Sequence, residues 1–245
     1  MCTLLLLRQL VERYPIFLVM NRDEAYRRPS EDPSLTRDGR TIVAPRDLQA
    51  GGTWIGVNDL GLVVAISNRH EGTFDSSRRS RGLLCLEALE RTSALDVKDF
   101  VERELLEVEY NPFNLLYCDL GRAFVTHHAA ETRTVELRRE VHFLTNMDVD
   151  DTDRPRIRRA MEVVEGRDKS TVEAALEVLK SVASDHEVYE GQSICLHKEH
   201  AGTVSSTIIA VSHEFPRTSL FLHSIGRPCE ASYEDYSSLL EEMVS

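Results

Sequence analysis

The chain is predicted to be an α+β protein, a four-layer αββα sandwich of two antiparallel sheets flanked by helices. Two observations lead there. Runs with strand character come in blocks, and each of the first two blocks is followed by a pair of segments whose apolar residues recur at helical spacing. The order is strands, two helices, strands, two helices, strands, which suits two packed sheets with helix layers outside. A doubly wound parallel fold would alternate strand and helix one for one, and this chain does not. No composition shift or low-complexity linker marks a boundary, so residues 1–245 are read as one domain.

The first block opens with Thr3–Leu10 and Pro15–Asn21, β-rich runs on either side of a polar turn at Glu12–Tyr14. The stretch from Arg22 to Arg40, rich in Pro, Arg and Asp, reads as a long loop. Short strands are expected at Thr41–Ala44, Thr53–Asn58 and Leu62–Ser67, the last two joined by the turn Asn58-Asp59-Leu60-Gly61. From Arg81 to Glu90 the residues Leu83, Leu84, Leu86, Ala88 and Leu89 lie at helical spacing, and Leu95 to Leu106 suggests a second helix. Strands return at Asn114–Asp119, Ala123–His128, Thr134–Arg138 and His142–Leu144, with a hairpin turn at Gly121. Two more helices span Arg154–Gly166 and Thr171–Ser184. Ser170 reads as the N-cap of the latter, with Glu173 three residues on. Strands at Thr207–Ser212 and Leu220–His223 complete the pattern.

Composition excludes several classes. A chain of 245 residues with 42% hydrophobic content can bury a sizeable core. Its 29 Lys+Arg against 41 Asp+Glu give a net charge of −12, a surface that repels polyanions, so nucleic acid is not an expected partner. Leu4–Leu7 is stopped by Arg8, far short of a bilayer span, and the amino terminus lacks the pattern of a secretory signal. Five widely spaced cysteines (Cys2, Cys85, Cys118, Cys195, Cys229) contain no C-x-x-C pair and suit reduced thiols in the cytoplasm. The histidines, among them His127, His128, His142, His186, His197, His200, His213 and His223, show no metal-binding spacing, so no metal or cofactor is expected. The acid-rich stretch Asp148–Asp153 reads as a solvated loop.

The chemistry centres on Cys2. If Met1 is removed, one residue offers a thiol and a free α-amine whose pKa near 8 lets it act as the base. The bland reading is a small buried hydrophobe in a first strand. Four segments bear on the choice: Asn21-Arg22-Asp23-Glu24, Gly51-Gly52-Thr53-Trp54-Ile55-Gly56, Ile66-Ser67-Asn68 and Leu144-Thr145-Asn146. Each puts polar residues at the end of an apolar run. Singly, such residues cap and turn. Together they supply the set that amide hydrolysis needs: a nucleophile, an acid to hold the amine, a cation to favour thiolate, and neutral N–H donors for an oxyanion. That set is Cys2, Asp23, Arg22, Asn68 and Asn146. Tyr26 and Trp54 are plausible walls for a substrate.

These motifs carry a resemblance. Met1-Cys2-Thr3, Asn21-Arg22-Asp23-Glu24 followed by Arg28-Pro29, Gly51 to Gly56, and Gly202-Thr203-Val204-Ser205-Ser206-Thr207 look like the NRDE family, also called the transport and Golgi organisation 2 family. More distantly, Gly56 to Asn68 and Leu144-Thr145-Asn146 are similar to segments of the penicillin V acylase and bile-salt hydrolase family. That resemblance implies an N-terminal-nucleophile fold, with Cys2 as nucleophile, Asp23 on its α-amine, and Asn68 and Asn146 at the oxyanion. That family's Arg-Asn-x-Asp aligns with Met20, Asn21 and Asp23, so Asn21 joins the substrate-binding candidates. Arg22, two residues beyond Met20, projects from the same face of an extended strand. For the family's later arginine, Arg158 is the candidate.

Two functions follow as expectations. One is an amidohydrolase or acyltransferase acting on a non-peptide C–N bond through a Cys2 acyl-enzyme. The other is a non-catalytic carrier or trafficking factor, since the resemblance implies links to Golgi organisation and to haem handling.

Overall fold

The apolar runs Leu4–Leu7 and Ile16–Met20 show no in–out alternation because all of their residues are buried. In the computed structural model, which describes residues 2–72 and 74–244, they lie in β1 (Thr3–Val11) and β2 (Tyr14–Ala25). Next come β3 (Ser30–Thr36), β4 (Ile42–Asp47), β5 (Ile55–Asn58) and β6 (Val63–Asn68), then α1 (Arg81–Leu89) and α2 (Ala94–Glu107). Strands β7 (Phe113–Cys118), β8 (Ala123–His128), β9 (Thr132–Glu136) and β10 (Val141–Leu144) lead to α3 (Pro155–Val164) and α4 (Val172–Ser184). The chain closes with β11 (Ala201–Val211), β12 (Leu220–Ile225), the two-residue β13 (Glu234–Asp235) and the short α5 (Ser238–Glu241). The expected α+β class is observed. Among the described residues, all ladders of named strands are antiparallel and form two sheets, ordered β10-β1-β2-β11-β12-β13 and β3-β4-β5-β6-β7-β8-β9.

The chain divides into two units, one holding residues up to Arg27 with Arg139–Ser238, the other Arg28–Arg138 with residues from Leu239 onward. In the first unit, odd-numbered residues of the opening strands face the helices. Leu5, Leu7 and Val19 share a core with Ile157 of α3 and with Leu179 and Val182 of α4. Pro155 starts α3, where its missing N–H would have no helical partner anyway. The N-cap of α4 is Thr171, whose hydroxyl accepts from the Ala174 N–H at 3.1 Å. The expected cap, Ser170, instead donates to Asp168 at 2.8 Å. Shifting the cap by one residue moves Glu173 from the third to the second helical position, still in the first turn.

In the second unit α1 packs on β5 and β6, burying Leu84, Cys85, Ala88 and Leu89. Asn58, expected only as a turn residue, also secures the end of α1. Its Nδ2 donates to the carbonyls of Leu89 and Arg91, both at 2.8 Å, while its Oδ1 accepts from the N–H groups of Leu60 and Leu62.

Two expectations are overturned. The presumed loop Arg22–Arg40 contains the last four residues of β2 and all of β3, because partners are available: Ala201 of β11 pairs with Ala25, and Leu35 of β3 pairs with Val43 of β4. A ladder satisfies the backbone whatever the polarity of the side chains. The polar Gly202–Thr207 run is likewise strand, so β11 starts well before Thr207. No helix among the described residues is long and apolar enough to cross a membrane.

Gly52 marks a close approach. A Cβ there would lie 2.2 Å from the Gly82 carbonyl carbon at the start of α1, beside the bond from Thr53 N–H to Gly82 O at 3.0 Å. Gly52→Ala is expected to lower stability by about 2–3 kcal/mol through backbone displacement. Gly51→Ala has open space around its Cβ but a φ of +75°, and should lose only about 1 kcal/mol. Urea midpoints of the two variants check the ranking.

Candidate active site

A carboxylate taken out of water requires partners, and Asp23 is buried in the polar end of β2. Side chains alternate along β2, so Asn21 and Asp23 share the face packed by α3 and α4, and Arg22 shares the opposite face with Met20. Asn21 Nδ2 donates to the Ala183 carbonyl near the end of α4 at 2.8 Å. Its Oδ1 is buried with no hydrogen-bond partner among the described residues.

Arg156, in the first turn of α3, meets Asp23. Its side chain is 2% exposed. One guanidinium nitrogen donates to Asp23 Oδ2 at 3.1 Å and to Thr3 Oγ1 at 3.4 Å. From the other side the Thr203 hydroxyl donates to Asp23 Oδ1 at 2.7 Å and accepts from the Leu196 N–H at 2.8 Å. Burial pushes the Asp23 carboxyl above the usual carboxylate range, with Arg156 and Thr203 pulling the other way. A bulge in β11 makes this possible. Thr203 pairs with Asp23 and Ser205 with Arg22, with Val204 as the extra residue. Thr203 and Ser205 therefore sit opposite residues on different faces, which a regular strand would not allow.

Cys2 stands just before β1 and is buried. The β1–β2 ladder is registered at Thr3↔Asn21, so one further step puts Cys2 beside Arg22. Burial, the largest influence, and the Asp23 carboxylate charge push the thiol above its ordinary range, while the Asp23 main-chain N–H and the Arg22 charge act more weakly in the opposite direction. The Arg22 charge also acts on His223 of β12: burial first, then this positive charge, pushes the imidazole down to about 4. His223 Nδ1 lies 2.9 Å from Thr207 Oγ1. Asn146 is half-buried. It follows by two residues the Leu144 that pairs with Leu4, at the same end of β1 as Cys2.

Asn68 and Trp54 belong to the second unit, Asn68 exposed at the end of β6 and Trp54 buried. The Tyr26 hydroxyl donates to the Lys198 carbonyl at 2.8 Å and accepts from Arg227 at 3.0 Å. Arg158 lies on the outer side of α3, bonded to the Thr152 carbonyl and paired with Glu190. The arginine that reaches Asp23 is Arg156, two residues earlier. Its signal was present as helical periodicity, since it lies four residues before Ala160 and eight before Val164, both buried. Asp150, in the supposedly solvated acidic loop, accepts from the Phe143 N–H and from His142. The histidines do not all stay scattered: His186 and His197 converge on Cys229. The ligand atoms come from three segments far apart in sequence, so no local spacing could reveal them.

A family model described as Transport and Golgi organisation 2 matches residues 1–222. The chain belongs to this family. Among curated relatives, the human Transport and Golgi organization protein 2 homolog is 32% identical over 114 residues, covering 45% of this chain and 41% of that protein. The Bos taurus homolog is 31% identical over 112 residues, 44% of this chain and 40% of the other. The matched stretch thus spans about two fifths of those relatives. Solved structures share the fold. A conjugated bile acid hydrolase variant from Clostridium perfringens has a TM-score of 0.60 at 11% identity, covering 97% of this chain and 93% of the other. A Caenorhabditis elegans N-acylethanolamine-hydrolyzing acid amidase ortholog has a TM-score of 0.57 at 14% identity, covering 85% and 92%. At such identities the likeness concerns fold alone. The first unit of this chain carries its own polar cluster, around Asp23.

Arg156→Ala is expected to destabilise the fold by about 3–5 kcal/mol by removing the cation from a buried carboxylate. Asp23→Asn in the same chain should recover much of that loss, and a double-mutant cycle by denaturant unfolding measures the coupling. The pH dependence at His223 has a definite sign. Its folded pKa lies below the ordinary value near 6.5, so as pH falls the unfolded chain binds the proton first. The stability contributed by the neutral ring is present above about 6.5 and lost toward about 4. His223→Gln should remove roughly 3 kcal/mol of that acid sensitivity, read from unfolding curves between pH 7 and pH 4.

Proposed function

We propose that this protein is a cysteine hydrolase or acyltransferase of the N-terminal-nucleophile type. It acts on a non-peptide C–N bond of a small amide or acyl substrate in the cytoplasm. The observation that carries the reading is the meeting at Cys2 of the Asp23 main-chain N–H and the Arg22 charge, next to a carboxylate held by Arg156 and Thr203. The reading needs Met1 removed, and Met1 lies outside the described residues.

In the processed chain the α-amine of Cys2 takes the thiol proton, and the sulfur attacks the carbonyl carbon. Asp23 orients the amine, and the buried Asn21 Oδ1 offers a second acceptor. The negative charge on the carbonyl oxygen requires a neutral donor, the role assigned within the first unit to Asn146. The ammonium returns its proton to the leaving nitrogen as the C–N bond breaks, leaving a thioester on Cys2. Water or an acceptor amine then releases the acyl group. Tyr26 and Arg158 are the substrate-contact candidates of the first unit. The Tyr26 hydroxyl and the Arg158 guanidinium are each engaged by neighbours, which favours apolar contact from Tyr26 over hydrogen bonding.

A second reading has one observation in its favour. A buried thiol pushed above its ordinary range is inert while the α-amine is absent, and that state suits a non-catalytic carrier of haem or lipid.

Intact mass first establishes whether Met1 is lost. Incubation with amide, lactam and lactone panels should then give an acyl adduct that peptide mapping assigns to Cys2. Cys2→Ala should abolish both adduct and turnover. Turnover that persists in Cys2→Ala overturns the catalytic reading. Haem or lipid binding that survives this substitution, with no adduct from any substrate, supports the carrier.

A further inference from the structure

Apart from the Asp23 cluster, the first unit contains a second group of reactive side chains. Cys195 and His197 lie two apart in an extended run that pairs back onto the start of β11, with Thr203 N–H donating to Leu196 O at 3.0 Å. Residues two apart in an extended chain project to the same side. Cys229 comes from the turn after β12, and His186 from the segment that leaves α4. Cys195 Sγ is 3.5 Å from Cys229 Sγ and 3.8 Å from His197 Nε2, and His197 Nε2 is 3.2 Å from Cys229 Sγ. The ligand atoms of His186, His197 and Cys229 lie within 4.8 Å of one another.

These separations are those of a coordination polyhedron. With Zn–S near 2.3 Å and Zn–N near 2.0 Å, a tetrahedron has edges of about 3.8 Å between sulfurs, about 3.5 Å between sulfur and nitrogen, and about 3.3 Å between nitrogens. The three short distances fall close to these values, and His186 stands next to two members of the set, its ligand atom within 4.8 Å of those of His197 and Cys229. A second feature points the same way. Glu230 Oε1 lies 3.9 Å from His197 Nδ1, the ring nitrogen facing away from the sulfurs, and Arg227 pairs with Glu230 at 3.1 Å. At this ion-pair distance, longer than a hydrogen bond, Glu230 stands on the side from which a carboxylate usually supports a metal-bound imidazole.

We propose that Cys195, His197, Cys229 and His186 form a tetrahedral site for one divalent cation of the zinc class. Binding releases the two thiol protons, and the two thiolates formed neutralise the charge of the ion. Without a cation, burial and the neighbouring thiol hold Cys195 protonated, up to about 12. Four protein ligands leave no open position, so the ion ties together three segments and takes no part in chemistry. One of those segments contains Leu196, whose N–H holds the Thr203 hydroxyl that bonds Asp23. The site thus braces the Asp23 cluster, and it stands or falls independently of the role of Cys2.

The test uses the full untagged chain, reduced with a phosphine and stripped of metal, then titrated with Co2+ followed by Zn2+. The expected result is one Co2+ per chain with the visible absorption of a tetrahedral thiolate complex, displaced by one Zn2+. Cys229→Ser and His197→Ala should weaken binding by more than the roughly 10–100-fold typical of an outer partner, and Glu230→Gln by about that range. His200→Ala, an exposed histidine outside the set, should leave binding unchanged. Circular dichroism of each variant confirms that it is folded. The proposal is overturned by absence of stoichiometric uptake, or by uptake that persists in folded Cys229→Ser and His197→Ala. A Cys195–Cys229 disulfide in protein isolated anaerobically with zinc present, read as loss of two hydrogens in mass, overturns it too.

Discussion

The buried carboxylate of Asp23 is the constraint on which the end of the six-stranded sheet depends. Leaving it without compensation would cost several kcal/mol, and the surrounding features supply that compensation. Helix α3 starts where Arg156, a single residue after Pro155, can turn inward to Asp23. Strand β11 carries a bulge that aims Thr203 at the same carboxylate. Thr3 shares Arg156 with Asp23 and so ties the start of β1 to the same cation. Three strands and a helix converge there, which gives Cys2 a defined setting.

The two faces of the sheet end differ in electrostatic character. On the helix side, opposite charges are paired in a dry environment. On the other side Arg22 stands beside groups that burial keeps neutral, the Cys2 thiol and the His223 imidazole. A cation next to a neutral thiol favours the thiolate once a base is provided.

Much of this was legible in the sequence where the signal is local. The α+β class, both helix pairs and most strands follow from apolar periodicity and turn residues, and Cys2, Asn21, Arg22 and Asp23 stand out as polar residues bordering apolar runs. The misreadings share one cause. β3 and the far end of β2 are polar, and they become strand only because β4 and β11 offer backbone partners. Arg158 is the candidate that the resemblance offers for the later arginine, whereas the choice between it and Arg156 rests on which face of α3 is turned to the sheet. The Cys195, His197, Cys229 and His186 group was missed because its ligands come from three separate segments.

By itself the sequence determined the alternation of strand and helix blocks, the family, and the residue types available for chemistry, because periodicity, capping and motif spacing are properties of neighbouring residues. Only the tertiary structure decided which of those residues meet. Strand register put Cys2 beside Arg22, a bulge put Thr203 on Asp23, and helix rotation chose Arg156. These depend on long-range pairing and on the requirement that buried polar groups find partners, which no short stretch of sequence contains.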